Sequence, residues 1–330
     1  MPPIVRSPRP LVLVGAAVAA AVLTAPALAG NGGFAPVPPE SPNAQGIHQS
    51  YVFISIFCFA IFLLVEGLLI AFVIRYRRRK RPRNADGAQI HGASRLELAW
   101  TGGPVLILFV IAAFVFAKLP GIQNVPSASA GNPNLVVDVT GTQFSWQFRY
   151  PNGVVAFDTM RAPVGRTVEL HVTAPDWDVI HSWWIPALAG KIDAIPGRVN
   201  KTWFQAKRTG VFQGQCAELC GLFHAKMLAA VEVMPADEFD SWLSQQRQEQ
   251  GAGTGALGEE MWNATCAKCH GASGEGDYGP KIAGTALVSD PQAVEQVIRN
   301  GFGTMPPVGR DWTDDEMTAI TTYLKENLGG

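Results

Sequence analysis

Two apolar stretches place the strongest constraint on the fold of this chain. They run from about Tyr51 to Ile74 and from about Leu98 to Leu119, and each is long enough to cross a lipid bilayer as a helix. A dense basic block, Arg75–Arg83, directly follows the first stretch. Because Lys and Arg concentrate on the cytoplasmic side of membrane spans, we expect this block inside the cell and all later sequence outside. The pattern predicts a transmembrane helical hairpin over residues 49–121.

The residues before the hairpin have the composition of a secretory signal. Two basic residues precede an apolar run, and the small residues Ala27 and Ala29 offer a cleavage site before Gly30. An uncleaved membrane anchor is the alternative, and it also leaves Gly30 on the outer face. We therefore assign residues 1–29 to a signal peptide and residues 30–48, which are rich in Pro, Gly and Asn, to a flexible lead-in.

A short segment after the hairpin concentrates side chains that bind soft metals. Two thiols, an imidazole and a thioether lie within about a dozen residues, and one further imidazole upstream completes a set of five: His181, Cys216, Cys220, His224 and Met227. Thiolate, thioether and imidazole ligands suit copper better than magnesium, calcium or manganese. A structural zinc ion with four ligands, with the methionine as core filler, is the alternative. Two copper ions that share both sulfurs would use all five donors. The odd electron would then spread over both metals with little rearrangement, as a fast electron relay requires.

A second motif near the C-terminus has the spacing of covalent haem attachment. Cys266, Cys269 and His270 form a Cys-x-x-Cys-His sequence, in which two thiols reach one porphyrin while the imidazole reaches its iron. A redox or zinc site is the alternative for Cys-x-x-Cys alone, but the adjacent histidine and the downstream Met305 favour haem. Ligation by His270 and Met305 would raise the iron potential into the range of a respiratory carrier.

Composition and hydrophobic patterning divide the rest of the chain into domains. With 330 residues, 48% of them hydrophobic, the chain can form two or three domains, and its net charge of -1 gives no argument for nucleic-acid binding. Short alternating runs over 132–250 predict an antiparallel β-sandwich or barrel, in which His171 is a structural residue. An amphipathic helix, Ala236–Gln250, closes this domain. Residues 251–255 then form a flexible linker to a helical domain, 256–330.

The motifs around the predicted metal site resemble one family closely. The His-Ser-Trp sequence at His181, the segment Lys191–Arg198 and the cysteine cluster are similar to subunit II of cytochrome c oxidase, and the resemblance covers roughly Gly46 to Glu238. The whole chain resembles the caa-type arrangement, in which a cytochrome c is fused to the C-terminus. This resemblance implies a cupredoxin-like Greek-key β-barrel and an all-α class I cytochrome c domain after the two-helix transmembrane hairpin.

The resemblance also assigns expected roles to individual residues. It implies that His181, Cys216, Cys220, His224 and Met227 hold a dinuclear copper centre. Glu218 would give its carbonyl to one copper and its carboxylate to a magnesium ion shared with subunit I. Glu97 corresponds to a carboxylate at the mouth of a proton path, although an ordinary headgroup-region carboxylate is the alternative. Phe144 stands where the family has the tryptophan through which electrons enter, and Trp146 is retained nearby.

Several further residues have two interpretations each. Glu66 lies inside the first span, where a carboxylate is costly unless it has a partner; it is either functional or hydrogen-bonded to a neighbouring helix. We expect Cys58 to serve only packing. Asp178 is either an acidic residue near a docking face or simply solvated. By resemblance, the carbonyl of Pro280 accepts the ring N–H of His270. An acidic group is either a solvated face or a docking patch for a basic cytochrome c, namely Asp311, Asp314, Asp315 and Glu316.

These expectations combine into one function with two alternatives. The chain would be the electron-accepting subunit of a proton-pumping cytochrome c oxidase. It would be a multi-pass protein of the cell (inner) membrane. Its copper and haem domains would face the periplasm. Its partners would be subunit I, other membrane subunits and a soluble or membrane-bound cytochrome c or other donor. The alternatives are a copper–haem donor subunit of a nitrogen-oxide reductase and a non-catalytic, membrane-anchored copper-binding protein.

Overall fold

The computed structural model describes residues 36–77, 89, 91–128, 133–251 and 255–329. The predicted signal peptide, residues 30–35 of the lead-in, residues 78–83 of the basic block and residues 252–254 of the linker lie outside these ranges. The chain divides into two compact units. One unit is the helical hairpin of residues 45–124, and the other contains the remaining described residues.

The hairpin consists of two long apolar helices, α1 (Pro42–Tyr76) and α2 (Ser94–Gln123). Both are long and apolar enough to cross a membrane. The helices are antiparallel, because the rings of Phe53 and Phe114 stack with centroids 4.0 Å apart and Lys118 Nζ lies 2.9 Å from the Gln49 side chain. The side chains along both spans are exposed, as expected for surfaces that face lipid or other membrane subunits.

The end of the predicted lead-in is ordered rather than flexible. Helix α1 already begins at Pro42, a residue type favoured in the first turn because its missing N–H has no helical partner there. Just before it, the Glu40 N–H donates to Ala187 O at 2.8 Å and Glu40 O accepts from the Lys207 N–H at 2.9 Å. Asn43 donates to Trp203 O at 2.8 Å. Composition alone could not reveal these contacts, which depend on strands far along the chain.

Residues 133–251, which we call the β-sheet module, contain two five-stranded sheets followed by a helix. The first sheet has the order β3-β2-β1-β5-β8 and the second has the order β4-β10-β9-β6-β7. Helix α3 (Ala236–Gly251) follows, close to the bounds predicted. The strands are β1 (Leu135–Thr142), β2 (Ser145–Arg149), β3 (Val155–Phe157), β4 (Thr159–Pro163), β5 (Val168–Thr173), β6 (His181–Trp184), β7 (Ile192–Ala194), β8 (Asn200–Phe204), β9 (Gly210–Cys216) and β10 (Leu228–Met234).

The two sheets form a cupredoxin-like sandwich around one core. Strand β1 alternates buried apolar and less buried residues, as a strand with one core face should. The prediction of a purely antiparallel arrangement is wrong in two places, because β1 pairs with β5 and β4 pairs with β10 in parallel. The alternating pattern identifies strands but carries no information about pairing direction. Fully buried core residues include Val137, Val139, Phe148, Leu170, Val172 and Trp183.

Residues 255–329, which we call the helical module, have the all-α fold expected. Helix α4 (Gly255–Met261) leads through a π-turn (Trp262–Cys266) into the short helix α5 (Ala267–His270). Helices α6 (Pro291–Asn300) and α7 (Asp314–Leu328) follow. A Cβ atom on Gly258 would lie 2.3 Å from Ala319 O, so only glycine allows α4 to approach α7 this closely. The two terminal helices therefore pack together.

Candidate metal centre and haem pocket

The second sheet positions the predicted metal ligands at one end of the β-sheet module. Trp183 of β6 pairs with Cys216 of β9, so His181 at the start of β6 lies beside the end of β9. The chain after Cys216 loops out and returns to β10, and the Cys216 N–H donates to Met227 O at 2.9 Å. This bond closes the loop at its base. It therefore fixes both ends of the segment that carries Cys216, Cys220, His224 and Met227.

The donor atoms of these five residues converge. The ligand atoms of His181, Cys216 and Cys220 all lie within 4.8 Å of one another. The Cys216 and Cys220 Sγ atoms are 3.9 Å apart, and Cys220 Sγ lies 3.6 Å from His224 Nδ1 and 3.7 Å from Met227 Sδ. Glu218 O approaches from the backbone, 3.2 Å from Cys216 Sγ. The cluster is compatible with a copper site.

Burial and charge make this cluster unfavourable without a cation. His181 is fully buried, and neither of its ring nitrogens has a hydrogen-bond partner among the described residues. The Cys220 thiol, with further help from His181, lowers the pKa of Cys216 to about 3, whereas the pKa of Cys220 is raised by Cys216 and by burial. A buried thiolate and an orphaned imidazole normally require a compensating partner. A soft metal ion would satisfy the sulfurs and the imidazoles together.

Asp178 lies beside the metal cluster, and its burial contradicts the solvated interpretation offered from the sequence. Its side chain is 1% exposed, and its Oδ1 lies 3.6 Å from His181 Nε2. Its Oδ2 accepts the N–H of Gln143 at 2.9 Å. Burial lowers the pKa of His181, but Asp178 and Cys216 outweigh it and the net pKa is raised. The spacing of Asp178 three residues before His181 was the available signal for such a role.

The two predicted electron-transfer aromatics differ in environment. Trp146 is fully buried and presents its ring edge to the His181 ring, with centroids 6.1 Å apart, so it cannot be an exposed contact for a donor. Phe144 is half-buried and meets Phe223 of the cysteine loop at 5.5 Å. Phe223 in turn meets Tyr278 of the helical module at 5.3 Å. The aromatic contacts therefore extend from the metal cluster into the helical module.

The helical module contains a cavity of about 870 Å³ at the haem-attachment motif. Cys266, Cys269, His270 and Met305 all line it. Burial raises the pKa of Cys266 to about 12, so its thiol is neutral there. His270 Nδ1 lies 2.8 Å from Pro280 O, as the resemblance implied, which leaves Nε2 as the nitrogen available to a metal. The size of the cavity, its apolar lining and its donor set fit a haem.

The β-sheet module closes one side of this cavity. Gln143 and Phe144 from the turn between β1 and β2, and Leu222 and Phe223 from the cysteine loop, line it together with the haem-motif residues. Gly221 has φ +127°, a backbone conformation that favours glycine, where the loop approaches the Gln143 side chain. Sequence reasoning did not foresee a shared cavity, because nothing in either motif specifies its neighbour in space.

The predicted acidic patch is not a single solvated surface. Glu316 is 2% exposed, forms an ion pair with Arg149 at 2.9 Å and caps the start of α7 through Thr313. Asp311 accepts from the Trp177 indole N–H at 2.8 Å, and Asp314 pairs with Arg299 at 3.3 Å. The expectation for Glu316 is therefore wrong. Its spacing after Thr313 is that of a capping box and was the signal that should have marked it as structural.

The remaining predicted residues have local environments of their own. Glu97 Oε1 accepts the N–H of Ala93 at 2.9 Å, at the start of α2. Glu66 and Cys58 are exposed on α1 within the hairpin unit, so the packing expected of Cys58 is not present in this unit. His171 lies in the first sheet, away from the metal cluster, with Nε2 2.8 Å from Glu169. It has the structural role expected.

Comparison with known proteins places these features in one family. The sequence profile described as cytochrome c oxidase subunit II, transmembrane domain, matches residues 33–117, and the profile for the periplasmic domain matches 158–234. A profile described as cytochrome c oxidase, cbb3-type, subunit III, matches residues 253–324.

Individual relatives agree with these profiles. Cytochrome c oxidase subunit 2 of Alkalihalophilus pseudofirmus is 33% identical over 319 residues, covering 87% of this chain and 89% of the relative. The Cereibacter sphaeroides subunit 2 is 34% identical over 249 residues, covering 64% and 79%. The crystal structure of the periplasmic domain of subunit II of cytochrome oxidase from Bradyrhizobium japonicum is 37% identical, with a TM-score of 0.35. It covers 38% of this chain and 98% of that chain.

Two membrane-spanning helices, a cupredoxin-like domain and a helical cytochrome c domain define a membrane-anchored subunit of a haem–copper oxidase. Its cupredoxin-like domain stands on the outer face of the membrane. Within that class, the chain belongs to the cytochrome c oxidase subunit II family, in the form that carries a C-terminal cytochrome c domain.

Proposed function

We propose that this chain is the subunit of a respiratory cytochrome c oxidase that accepts electrons on the periplasmic face of the cell inner membrane. It passes them to subunit I, where oxygen is reduced to water with proton pumping. The observation that carries this proposal is the convergence of five sulfur and imidazole donors, four of them buried, in one cluster. When bound, a pair of copper ions and a covalent haem c supply the one-electron redox chemistry.

The ligands of the copper pair are His181, Cys216, Cys220, His224 and Met227, with Glu218 contributing its carbonyl oxygen. Because the loop is closed by the bond between Cys216 N and Met227 O, these donors change position little when the charge of the site changes. Burial excludes water from the sulfurs. A rigid, dry site minimises rearrangement during electron transfer, which is the property a relay needs.

The haem ligands are Cys266 and Cys269 for covalent attachment and His270 and Met305 for the iron. Pro280 O holds the His270 ring by accepting from its Nδ1–H, which fixes the orientation and the tautomer of the imidazole. The half-buried Phe144, which also lines the haem cavity, is the aromatic between the two sites. Trp146 supports the His181 ring from the core.

Two acidic residues are proposed to work with subunit I. The Glu218 carboxylate is 46% exposed, with its nearest cation, Lys191 Nζ, at 3.6 Å. It is therefore accessible to a magnesium ion shared between the subunits. Glu97 stands at the start of α2, on the cytoplasmic side by the topology argued above, where a proton path into subunit I would begin.

Electron paramagnetic resonance of the copper-loaded full-length protein tests the proposal. We expect hyperfine structure from one electron shared by two equivalent copper nuclei, and its loss in Cys216→Ser. The matched control is Cys58→Ser, because Cys58 is exposed on α1 and distant in sequence from the cluster. Binding of one metal ion per chain, or of colourless zinc in preference to copper, would refute the proposal.

A further inference from the structure

The contact between the β-sheet module and the helical module uses an edge strand. Strand β3 lies at the edge of the first sheet, where one side of its backbone has no neighbouring strand. The Val155 N–H and O are both bonded to the Gln250 side chain, at 3.0 and 2.7 Å, and the Phe157 N–H donates to Glu260 at 2.8 Å. Unpaired edge groups normally require such coverage. The helical module and the helix before it therefore complete this sheet edge.

The apolar side chains of the same strand belong to the core of the helical module. Val155 and Phe157 are 3% exposed and pack with residues of α4, α6 and α7. The Phe157 ring meets Trp312 edge-on, with centroids 6.1 Å apart. Separation of the modules would return both side chains to water, at a cost proportional to the apolar area exposed. This favours a permanent contact over a transient encounter at the end of a linker.

Lys268, between the two haem-attachment cysteines, anchors the motif to the β-sheet module. Its Nζ donates to Phe144 O at 2.8 Å and to Asp158 Oδ2 at 2.6 Å. Asp158 Oδ1 accepts the Trp146 N–H at 3.0 Å, so this carboxylate is held from both sides. Asp158 has φ +53°, and among the described residues it alone has positive φ without being glycine. The ion pair is mostly buried, with 14% of the Lys268 side chain and 23% of the Asp158 side chain exposed.

A second group of polar contacts restrains rotation about this anchor. Glu316 accepts from Gln147 at 2.6 Å and from Arg149 at 2.9 Å, both on β2. Thr265 Oγ1 donates to Ser145 Oγ at 3.2 Å, within the buried contact. Because these bonds and the Lys268 pair originate from different elements, the modules cannot pivot without breaking several of them.

We propose that the two modules form one permanently docked unit, in which Lys268 is the positioning residue that holds the haem pocket against Phe144 and Phe223. The docking does not depend on the proposed function, but its consequence for electron transfer does. Phe144 and Phe223 of the β-sheet module are covered by the chain's own helical module. An external electron donor therefore delivers its electrons to the helical module and has no access to Phe144.

The test uses the full-length haem-loaded protein in lipid nanodiscs, with a protease site inserted between Gly251 and Gly255. After cleavage, retention of the helical module on the anchored part is measured by haem absorbance across a dilution series. We expect the wild-type halves to remain together at micromolar concentration. Lys268→Gln and Asp158→Asn should each weaken retention by about 30-fold or more, because one charge loses its partner. Asparagine tolerates positive φ, so Asp158→Asn preserves the backbone.

A double variant and a surface control make the result specific. If the two residues act as one pair, the double variant Lys268→Gln/Asp158→Asn should lose little more than either single variant. Lys325→Gln, an exposed lysine on α7, should leave retention unchanged. The proposal is overturned if the cleaved wild-type halves separate, or if Lys268→Gln is retained within threefold of wild type.

Measurement with and without copper separates this proposal from the function proposed above. Docking should persist without copper, since none of its contacts uses a metal ligand. If the copper-loaded protein lacks the resonance of an electron shared by two copper nuclei but the modules stay docked, the proposed function alone is refuted. Haem absorbance of each variant before cleavage shows that the helical module has folded, so lost retention in a variant with a normal spectrum supports the role of Lys268.

Discussion

Replacing Asp178 by asparagine tests whether this residue supports the proposed copper centre through His181. The asparagine side chain would keep the shape of the original, but its single amide oxygen can accept only one of the two backbone N–H groups that the carboxylate accepts, those of Gln143 at 2.9 Å and Val179 at 2.7 Å. The substitution removes the negative charge 3.6 Å from His181 Nε2. It therefore removes the electrostatic support of the imidazole together with one local hydrogen bond. We expect weaker copper binding, with a loss of stability of about 1 kcal/mol from the lost hydrogen bond.

The magnitude follows from the geometry of the pair. Loss of a residue that supports a metal-ligating histidine typically lowers affinity by about 10- to 100-fold, or about 1.4 to 2.8 kcal/mol. The carboxylate and the imidazole are both almost fully buried, which strengthens their interaction. Their 3.6 Å separation is longer than a good hydrogen bond, which weakens it. We therefore expect the lower end of the range, about tenfold.

Copper titration against a competing chelator, followed by electron paramagnetic resonance, measures this change. The matched control is Asp138→Asn, because Asp138 also lies beside a histidine, with Oδ1 3.4 Å from His171 Nδ1, in the other sheet. A threefold or smaller change for Asp178→Asn would refute the argument. An equal loss in the control would refute it as well, since the effect would then not be specific to the cluster.

Two further predictions concern the stability of the contact between the modules. Glu316→Gln should lower the free energy of unfolding by about 1 to 3 kcal/mol, because the buried carboxylate accepts from Arg149 and caps α7. Chemical denaturation measures this free energy, with the exposed Glu326→Gln as the control. Burial raises the pKa of Glu260 above its ordinary 4.5, so its contribution to stability is complete below pH 4.5 and is lost as the pH rises through the folded pKa. Glu260→Gln should therefore be as stable as wild type or more stable at pH 7, with a flatter pH profile of thermal unfolding. A steeper profile would contradict this.

The sequence predicted features whose cause is local. The two apolar stretches gave the hairpin helices because span length and composition determine them directly. The Cys266–His270 motif likewise follows from its short spacing, whereas the Pro280 contact came from the resemblance. The five donors of the metal cluster could be named because four of them lie on one loop, and His181 was the upstream imidazole that completed the set.

Features that depend on distant partners were missed. The burial of Glu316 depends on Arg149, far away in sequence, and an acidic run alone is typical of a solvated surface. The parallel pairing of β1 with β5 leaves no trace in either strand. Asp158 and Lys268 are unremarkable until the fold brings them within 2.6 Å. In each case the missing information was a tertiary contact rather than a residue type.

The coverage of β3 has a consequence for how this fusion can be divided or inherited. A shortened gene that stopped after α3 would keep the Gln250 bonds to Val155, but the Phe157 N–H would lose Glu260 and the Val155 and Phe157 side chains would return to water. Exposed sheet edges of this kind recruit other chains and aggregate. The C-terminal domain is thus not an independent unit that can be removed or exchanged without other changes. Its loss in a descendant would have to be accompanied by polar replacements along that strand before the shorter protein resisted aggregation.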